Sequence, residues 1–128
     1  MISIRTRRAA AGALAVATIA AGVSTVTAPA AGAAPVDYGA IAVSRSGSVG
    51  KSWDYASAGA ARQAALARCG YGTCKVLASF SNGCGAVAAT PRMFGGGAAR
   101  DLRTAERRAI AKSGGGIVRT WVCTSRHL

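Results

Sequence analysis

The chain has 128 residues, 51% of them hydrophobic and 5% aromatic, with 16 Lys and Arg against 4 Asp and Glu and a formal charge of +12. That length holds a single globular domain, and four carboxylates with one histidine supply paired-carboxylate hydrolysis poorly. So few acids leave the surface field positive almost everywhere, which favours anionic partners, although charge away from zero also serves solubility alone.

The first 33 residues read as a signal peptide: Arg5, Arg7 and Arg8 precede a weakly apolar stretch over 9–23, and Ala31-Gly32-Ala33 makes a small-x-small cleavage site. The stretch is mostly Ala, Gly and Thr, short of the roughly 18 strongly apolar residues of a membrane anchor. No stable span is expected in the mature chain. Thr6-Arg7-Arg8 suits twin-arginine export as well as the general secretory route. Cleavage leaves residues 34–128 as one domain of 95 residues, in which 13 Lys and Arg face 4 acids, a charge of +9. Its core, built largely of Ala, Val and Ile, is thin, so four cysteines in an oxidising compartment fit the need for cross-links worth typically about 2 to 4 kcal/mol.

Gly39-Ala40-Ile41-Ala42-Val43 reads as a strand, followed by a turn at Arg45-Ser46-Gly47 and a second strand over 49–55 with Val49, Lys51, Trp53 and Tyr55 on one face. Ser57 is an N-cap candidate for a helix over 58–68 that closes at Gly70. A strand over 75–80 runs through Ser81-Asn82-Gly83, a hairpin signal because type I′ turns take positive φ at both central residues. Gly85-Ala86-Val87-Ala88-Ala89 forms the next strand. Pro91 through Gly97 reads as an irregular, flexible loop. Asp101 caps a second helix over 102–112 that ends at Gly114, and a last strand covers 117–123.

The second half repeats the first. At an offset of 44, Ser57 lies over Asp101, Ala61 over Ala105, Ala65 over Ala109, Leu66 over Ile110 and Cys69 over Ser113; the first strands match at an offset of 46. Ala58, Ala61, Ala65, Leu66 and Cys69 share one helix face, matched by Leu102, Ala105, Ala109, Ile110 and Ser113. The predicted fold is α+β: a duplicated ββαβ unit whose order ββαββαβ makes an antiparallel sheet of about five strands with two helices on one face.

Continuing the register places Gly72 over Gly116, Cys74 over Val118 and Lys75 over Arg119. Cys69 and Cys74 thus vanish together in the second copy. Four cysteines allow three pairings, and a joint loss favours Cys69 with Cys74 and Cys84 with Cys123. Zinc is the competing use, but structural zinc sites draw on two clusters of closely spaced cysteines, and only one close pair is present.

Gly39 to Ala42 before a turn, Trp53 and Tyr55 on an aromatic strand, an Ala-rich helix ending Cys69-Gly70, then Cys74-Lys75-Val76 and Asn82-Gly83-Cys84-Gly85-Ala86 resemble a family of small secreted actinobacterial proteins. It is catalogued as domain of unknown function 4189 (DUF4189). The resemblance spans nearly all of residues 34–128 and implies export and no known activity. It carries no catalytic residues.

No cofactor motif or phosphate-loop lysine pattern occurs, and no catalytic residue is assigned. His127, the single histidine, is second from the C-terminus, where chains fray. Gly95-Gly96-Gly97 beside Arg92, Arg100 and Arg103 admits two readings, a flexible glycine run or a cradle for a phosphate or carboxylate. Arg92, Arg100, Arg103, Arg107, Arg108 and Lys112 form the candidate anion-binding set. Trp53, Tyr55, Phe80 and Trp121 suit base or sugar stacking if exposed, but in so Ala-rich a chain they are expected to supply core bulk. The functional expectation is a non-enzymatic exported module, in the extracellular space or envelope, that binds an anionic polymer, an anionic lipid or a protein partner; nucleic acid is admitted but not favoured. The alternative is a small secreted hydrolase or an inhibitor of an envelope enzyme.

Overall fold

The computed structural model describes residues 35–127, so the expected signal peptide at 1–33 lies outside the described residues, as does the side chain of His127. The elements are β1 (Tyr38–Val43), β2 (Val49–Tyr55), α1 (Ala58–Cys69), β3 (Lys75–Ser81), β4 (Cys84–Ala89), β5 (Phe94–Ala99), α2 (Leu102–Lys112) and β6 (Ile117–Cys123), with a final single turn Ser125–His127. The class is α+β and the unit is ββαβ, used twice.

The strands form two three-stranded antiparallel sheets, ordered β2-β1-β3 and β5-β4-β6, where the sequence suggests one sheet. The reason lies in the central strands, which are buried on both sides. Ala40 and Ala42 pack under Ala61, Ala65 and Cys69 of α1, while Ile41 and Val43 point the other way, into a cluster with Ala78, Phe80, Val87 and Val122. Ala86 and Ala88 likewise meet Ala105 and Ala109 of α2. A single sheet carrying both helices on one face would leave Ile41, Val43 and Val87 in water. Instead the sheets pack face to face and each helix covers the outer face of its own sheet.

The sixth strand, β5, replaces the expected loop. Gly95, Gly96 and Gly97 are buried, and a Cβ at Gly95 or Gly97 would strike the α2 backbone at Ala109 or Ala105, whereas one at Gly96 would strike Leu77 of β3. The glycines are there for close approach, not for flexibility. Ser81-Asn82-Gly83 also differs from expectation, because β3 and β4 lie in different sheets and do not pair. Asn82 takes a positive φ of 43° but Gly83 does not, so the connection crosses between sheets. It is pinned by Asp37 N–H donating to Asn82 Oδ1 at 3.0 Å and Asn82 N–H donating to Asp37 O at 2.8 Å.

The ladders refine the repeat. Val43 opposite Val49 corresponds to Ala89 opposite Phe94, an offset of 46 in the first strand and 45 in the second. One residue is therefore lost in the turn. The next is lost at a bulge: Gly39, between Tyr38 and Ala40, faces both Trp53 and Asp54, with Asp54 at φ 62°, whereas β4 and β5 pair without a slip. In the last strands Val43 pairs with Lys75 and Ala89 with Ile117, an offset of 42. Lys75 thus matches Ile117, Leu77 matches Arg119 and Ser79 matches Trp121, which corrects the sequence register there. Cys74 has no counterpart at all, because the corner over 70–74 shrinks to 114–116.

Cys69 is joined to Cys74 and Cys84 to Cys123, the pairing the repeat argues for. In the second copy a hydroxyl does the work of the clip. Ser113, the counterpart of Cys69, is buried; its Oγ donates to Ile110 O at 2.9 Å and accepts from Gly116 N–H at 2.8 Å.

The helix caps follow the sequence with one change. Ser57 and Asp101 accept from Ala60 N–H and Thr104 N–H, and Gly70 ends α1 in the left-handed region, but α2 ends at Ser113 in the right-handed region, with Gly114 and Gly115 turning after it.

Candidate functional site

Burial of Ala105 and Ala109 against the sheet turns Arg103, Arg107 and Lys112 outward on α2. Arg108 is drawn back, donating from Nη1 to Ala98 O on β5 at 2.7 Å, and Arg107 Nη2 donates to Thr104 Oγ1 at 3.2 Å. Arg92 and Arg100 sit at opposite ends of β5, separated by roughly 20 Å of strand. The candidate cations therefore line up along α2 and its flanks. They do not close around the glycines, which are buried in the strand, so the phosphate-cradle reading of that segment is overturned along with the flexible one.

The carboxylates are engaged elsewhere. Asp101 caps α2, and the Thr104 N–H and hydroxyl hold its pKa below the usual carboxylate value. Asp54 accepts from the Ser125 hydroxyl and from Ser125 N–H at 2.9 Å, bonds that lower its pKa likewise. Asp37 pairs with Arg126 at 2.6 Å. Among the described residues no group of three or more His, Cys, Asp and Glu gathers in metal-binding geometry.

Sequence reasoning misplaced the tryptophans. Phe80 is core, 7% exposed, but Trp53 and Trp121 are 45% and 44% exposed. Core volume between the sheets comes from Ile41, Val43, Phe80, Val87 and Val122, while alanine against alanine closes the two helix-facing sides. Together with Lys51, Arg119, Thr120 and Val122, the two tryptophans border a groove of about 450 Å³ between the edge strands β2 and β6, Trp121 standing on the α2 face of its sheet, where its ladder partner Ala86 packs. Lys51 Nζ donates to Trp121 O across it at 3.2 Å, and a positive side chain set on an unpaired edge guards that edge against strand addition. A second hollow of about 390 Å³ shares Arg119 and Thr120 as its wall and continues toward Val43, Gly47 and Phe94.

Trp53 is held in place. Arg68 lies over its ring at 5.8 Å and over Tyr55 at 5.9 Å, and is itself fixed by Lys51 O at 2.7 Å and Tyr55 OH at 3.2 Å. A signal for this site stands in the sequence: Lys51-Ser52-Trp53 and Arg119-Thr120-Trp121 are both cation-hydroxyl-tryptophan on edge strands.

The family model described as "Domain of unknown function (DUF4189)" matches residues 38–123. Protein Rv1269c of Mycobacterium tuberculosis is 51% identical over 86 residues, covering 67% of this chain and 68% of that protein. The uncharacterized protein Rv1813c of the same organism is 41% identical over 88 residues, covering 69% of this chain and 61% of its own length. The NMR structure of Rv1813c superposes with a TM-score of 0.57 and 30% identity over 95% of this chain and 100% of that one. No helix among the described residues is long and apolar enough to cross a membrane, and the two disulfides accord with an extracellular setting.

Proposed function

From a chain that belongs to the DUF4189 family, we propose an exported, non-enzymatic binding module that docks a positive surface on an anionic partner of the cell envelope. The observation that supports this is the near absence of internal neutralisation. Among the described residues one ion pair, Arg126 with Asp37, forms, while 13 Lys and Arg face 4 acids over the same stretch. Arg103, Arg107 and Lys112 are exposed on a helix whose Glu106 is the lone acid inside it. Such a face attracts polyanions within a Debye length of roughly 8 Å at physiological salt.

Binding of the oxidised domain to anionic liposomes and to anionic polymers, followed against salt, tests the reading. Affinity should fall as salt rises, and the triple variant Arg103→Ala, Arg107→Ala, Lys112→Ala should weaken it. No binding at low salt, or binding unchanged in that variant, refutes the role of α2.

A further inference from the structure

We propose that the trough between β2 and β6 is a binding site for an acidic carbohydrate chain, with Trp53 and Trp121 as stacking platforms and Lys51 and Arg119 as its anion contacts. The site is separate from the α2 face and does not require it.

The argument starts from the duplication. The two copies pack so that the third strand of each lies against the second strand of the other, which makes two equivalent seams, β3 with β5 and β2 with β6. Equivalent seams built alike would close alike. The first is shut at its middle, where Gly96 leaves no room even for a methyl group against Leu77, and keeps only a hollow of about 130 Å³ at the Lys75 and Phe94 end. At the matching positions of the second seam stand Lys51 for Gly96 and Arg119 for Leu77, with Trp121 for Ser79. Trp53 sits on the bulge that the second copy lacks. Every residue that lines the open trough with charge or aromatic surface is thus a departure from its counterpart in the closed one.

The chemistry of these departures is specific. Two half-exposed tryptophans at the border of one groove present flat apolar surface that water solvates poorly, and tryptophan with a cation alongside is the composition of an energetic contact centre. One face of Trp53 is taken by Arg68, which leaves the other for a planar partner such as the C–H face of a pyranose. Arg119 and Lys51 place positive charge beside the indoles, and the groove walls contain no carboxylate, so an anionic group on the ligand is matched and a cationic one is repelled. Thr120 supplies a hydroxyl. The two hollows share Arg119 and Thr120, so the trough is long enough for several linked units rather than one. A nucleic-acid strand offers rings and charge too, but the paired cysteines point to an oxidising compartment, where acidic glycans are the abundant flat, negatively charged chains.

The site is also set before binding. The bulge that carries Trp53 is tied down by Asp54 to Ser125, and Arg68 is fixed to the β2 backbone. A platform already ordered loses little freedom when ligand arrives.

Tryptophan emission of the oxidised domain titrated with uronate tetrasaccharides and with phosphodiester-linked sugar oligomers tests the proposal, with maltotetraose and an eight-nucleotide thymidine strand as comparators. A saturable change is expected with at least one acidic sugar and not with maltotetraose. Trp53→Ala and Trp121→Ala should each weaken binding about tenfold, and Lys51→Met with Arg119→Met should remove the preference for acidic over neutral sugar. Trp53→Phe, which keeps a ring, should retain most of the affinity and guards against misfolding as the cause. The α2 triple variant should bind as the parent does at fixed ionic strength, so a failure of the α2 reading leaves this one standing. Absence of saturation with every acidic sugar, affinity unchanged in the tryptophan variants, or tighter binding of the thymidine strand overturns it.

Discussion

Replacing Gly96 by Ala probes the closed seam directly. The added Cβ would sit 2.5 Å from the Leu77 carbonyl carbon and 3.0 Å from its Cβ, closer still to its oxygen. No rotamer relieves this, because what must move is the backbone of β3, paired to β1 on its other side. Overpacking of a core typically costs about 1 to 3 kcal/mol, and a backbone obstacle places this site near the top, about 3 kcal/mol. For a domain of this size each kcal/mol lowers the melting temperature by roughly 4 to 8 °C, so Gly96→Ala should melt about 12 to 24 °C below the parent by circular dichroism. Gly59→Ala is the control, with nothing within 4 Å of the new methyl on α1; it should gain about 0.5 to 1 kcal/mol from helix propensity alone. A Gly96→Ala protein melting within about 3 °C of the parent would refute the tight seam, and with it the contrast between the two seams.

The disulfides should differ in worth by loop length: by the chain-entropy relation, removing Cys69–Cys74, five residues apart, costs about 2 kcal/mol, and removing Cys84–Cys123, thirty-nine apart, about 4 kcal/mol. Urea unfolding of the paired serine variants compares them, and equal losses would count against the unfolded-chain account. Ser113→Ala leaves Gly116 N–H without its side-chain acceptor at a part-buried corner and should cost about 1 to 3 kcal/mol in the same assay. The Asp54 pKa is lowered by the Ser125 hydroxyl and then by Ser125 N–H, so its contribution is complete above the unfolded carboxylate value and fades as pH falls through the lower folded value. Asp54→Asn should therefore flatten the loss of stability below about pH 4; an unchanged acid limb would show the latch contributes nothing.

Much of the framework was legible because it rests on local chemistry. Ser57 and Asp101 cap helices for the reason any N-cap does, and the alanine stripes at 61, 65, 105 and 109 mark the faces that meet a sheet. The sheet count was not legible, since it depends on what lies across Ile41 and Val87, and period-two patterning reports burial of a face without naming the covering layer. Gly95-Gly96-Gly97 misled for a related reason: the residues that signal looseness in a loop are also those a strand uses when backbones press on both sides. Trp53 and Trp121 misled through size, as bulk in an alanine-rich chain suggests core, whereas alanine on alanine closes this interior without them.

The asymmetry of the seams bears on what keeps the trough open. Lys51 and Arg119 face one another's strands without an acid between them, so each raises the electrostatic energy of the other, and the half-exposed indoles forgo burial available in a closed seam. Glycine and leucine at those positions demonstrably close the equivalent contact. The open seam is braced by contacts outside itself: Asp54 to Ser125 beyond the bulge, Asp37 to Arg126 beside it, and Arg68 behind Trp53. An anionic ligand lying between the cations and over the indoles would remove the repulsion and cover the apolar faces together. Both gains are part of the affinity, so the acidic sugar should stabilise the domain against heat by the amount its free concentration and Kd require, about 2.7 kcal/mol at a hundredfold excess over Kd, and the rise in melting temperature should shrink in Trp53→Ala and Trp121→Ala; a rise that survives both substitutions would place the ligand elsewhere.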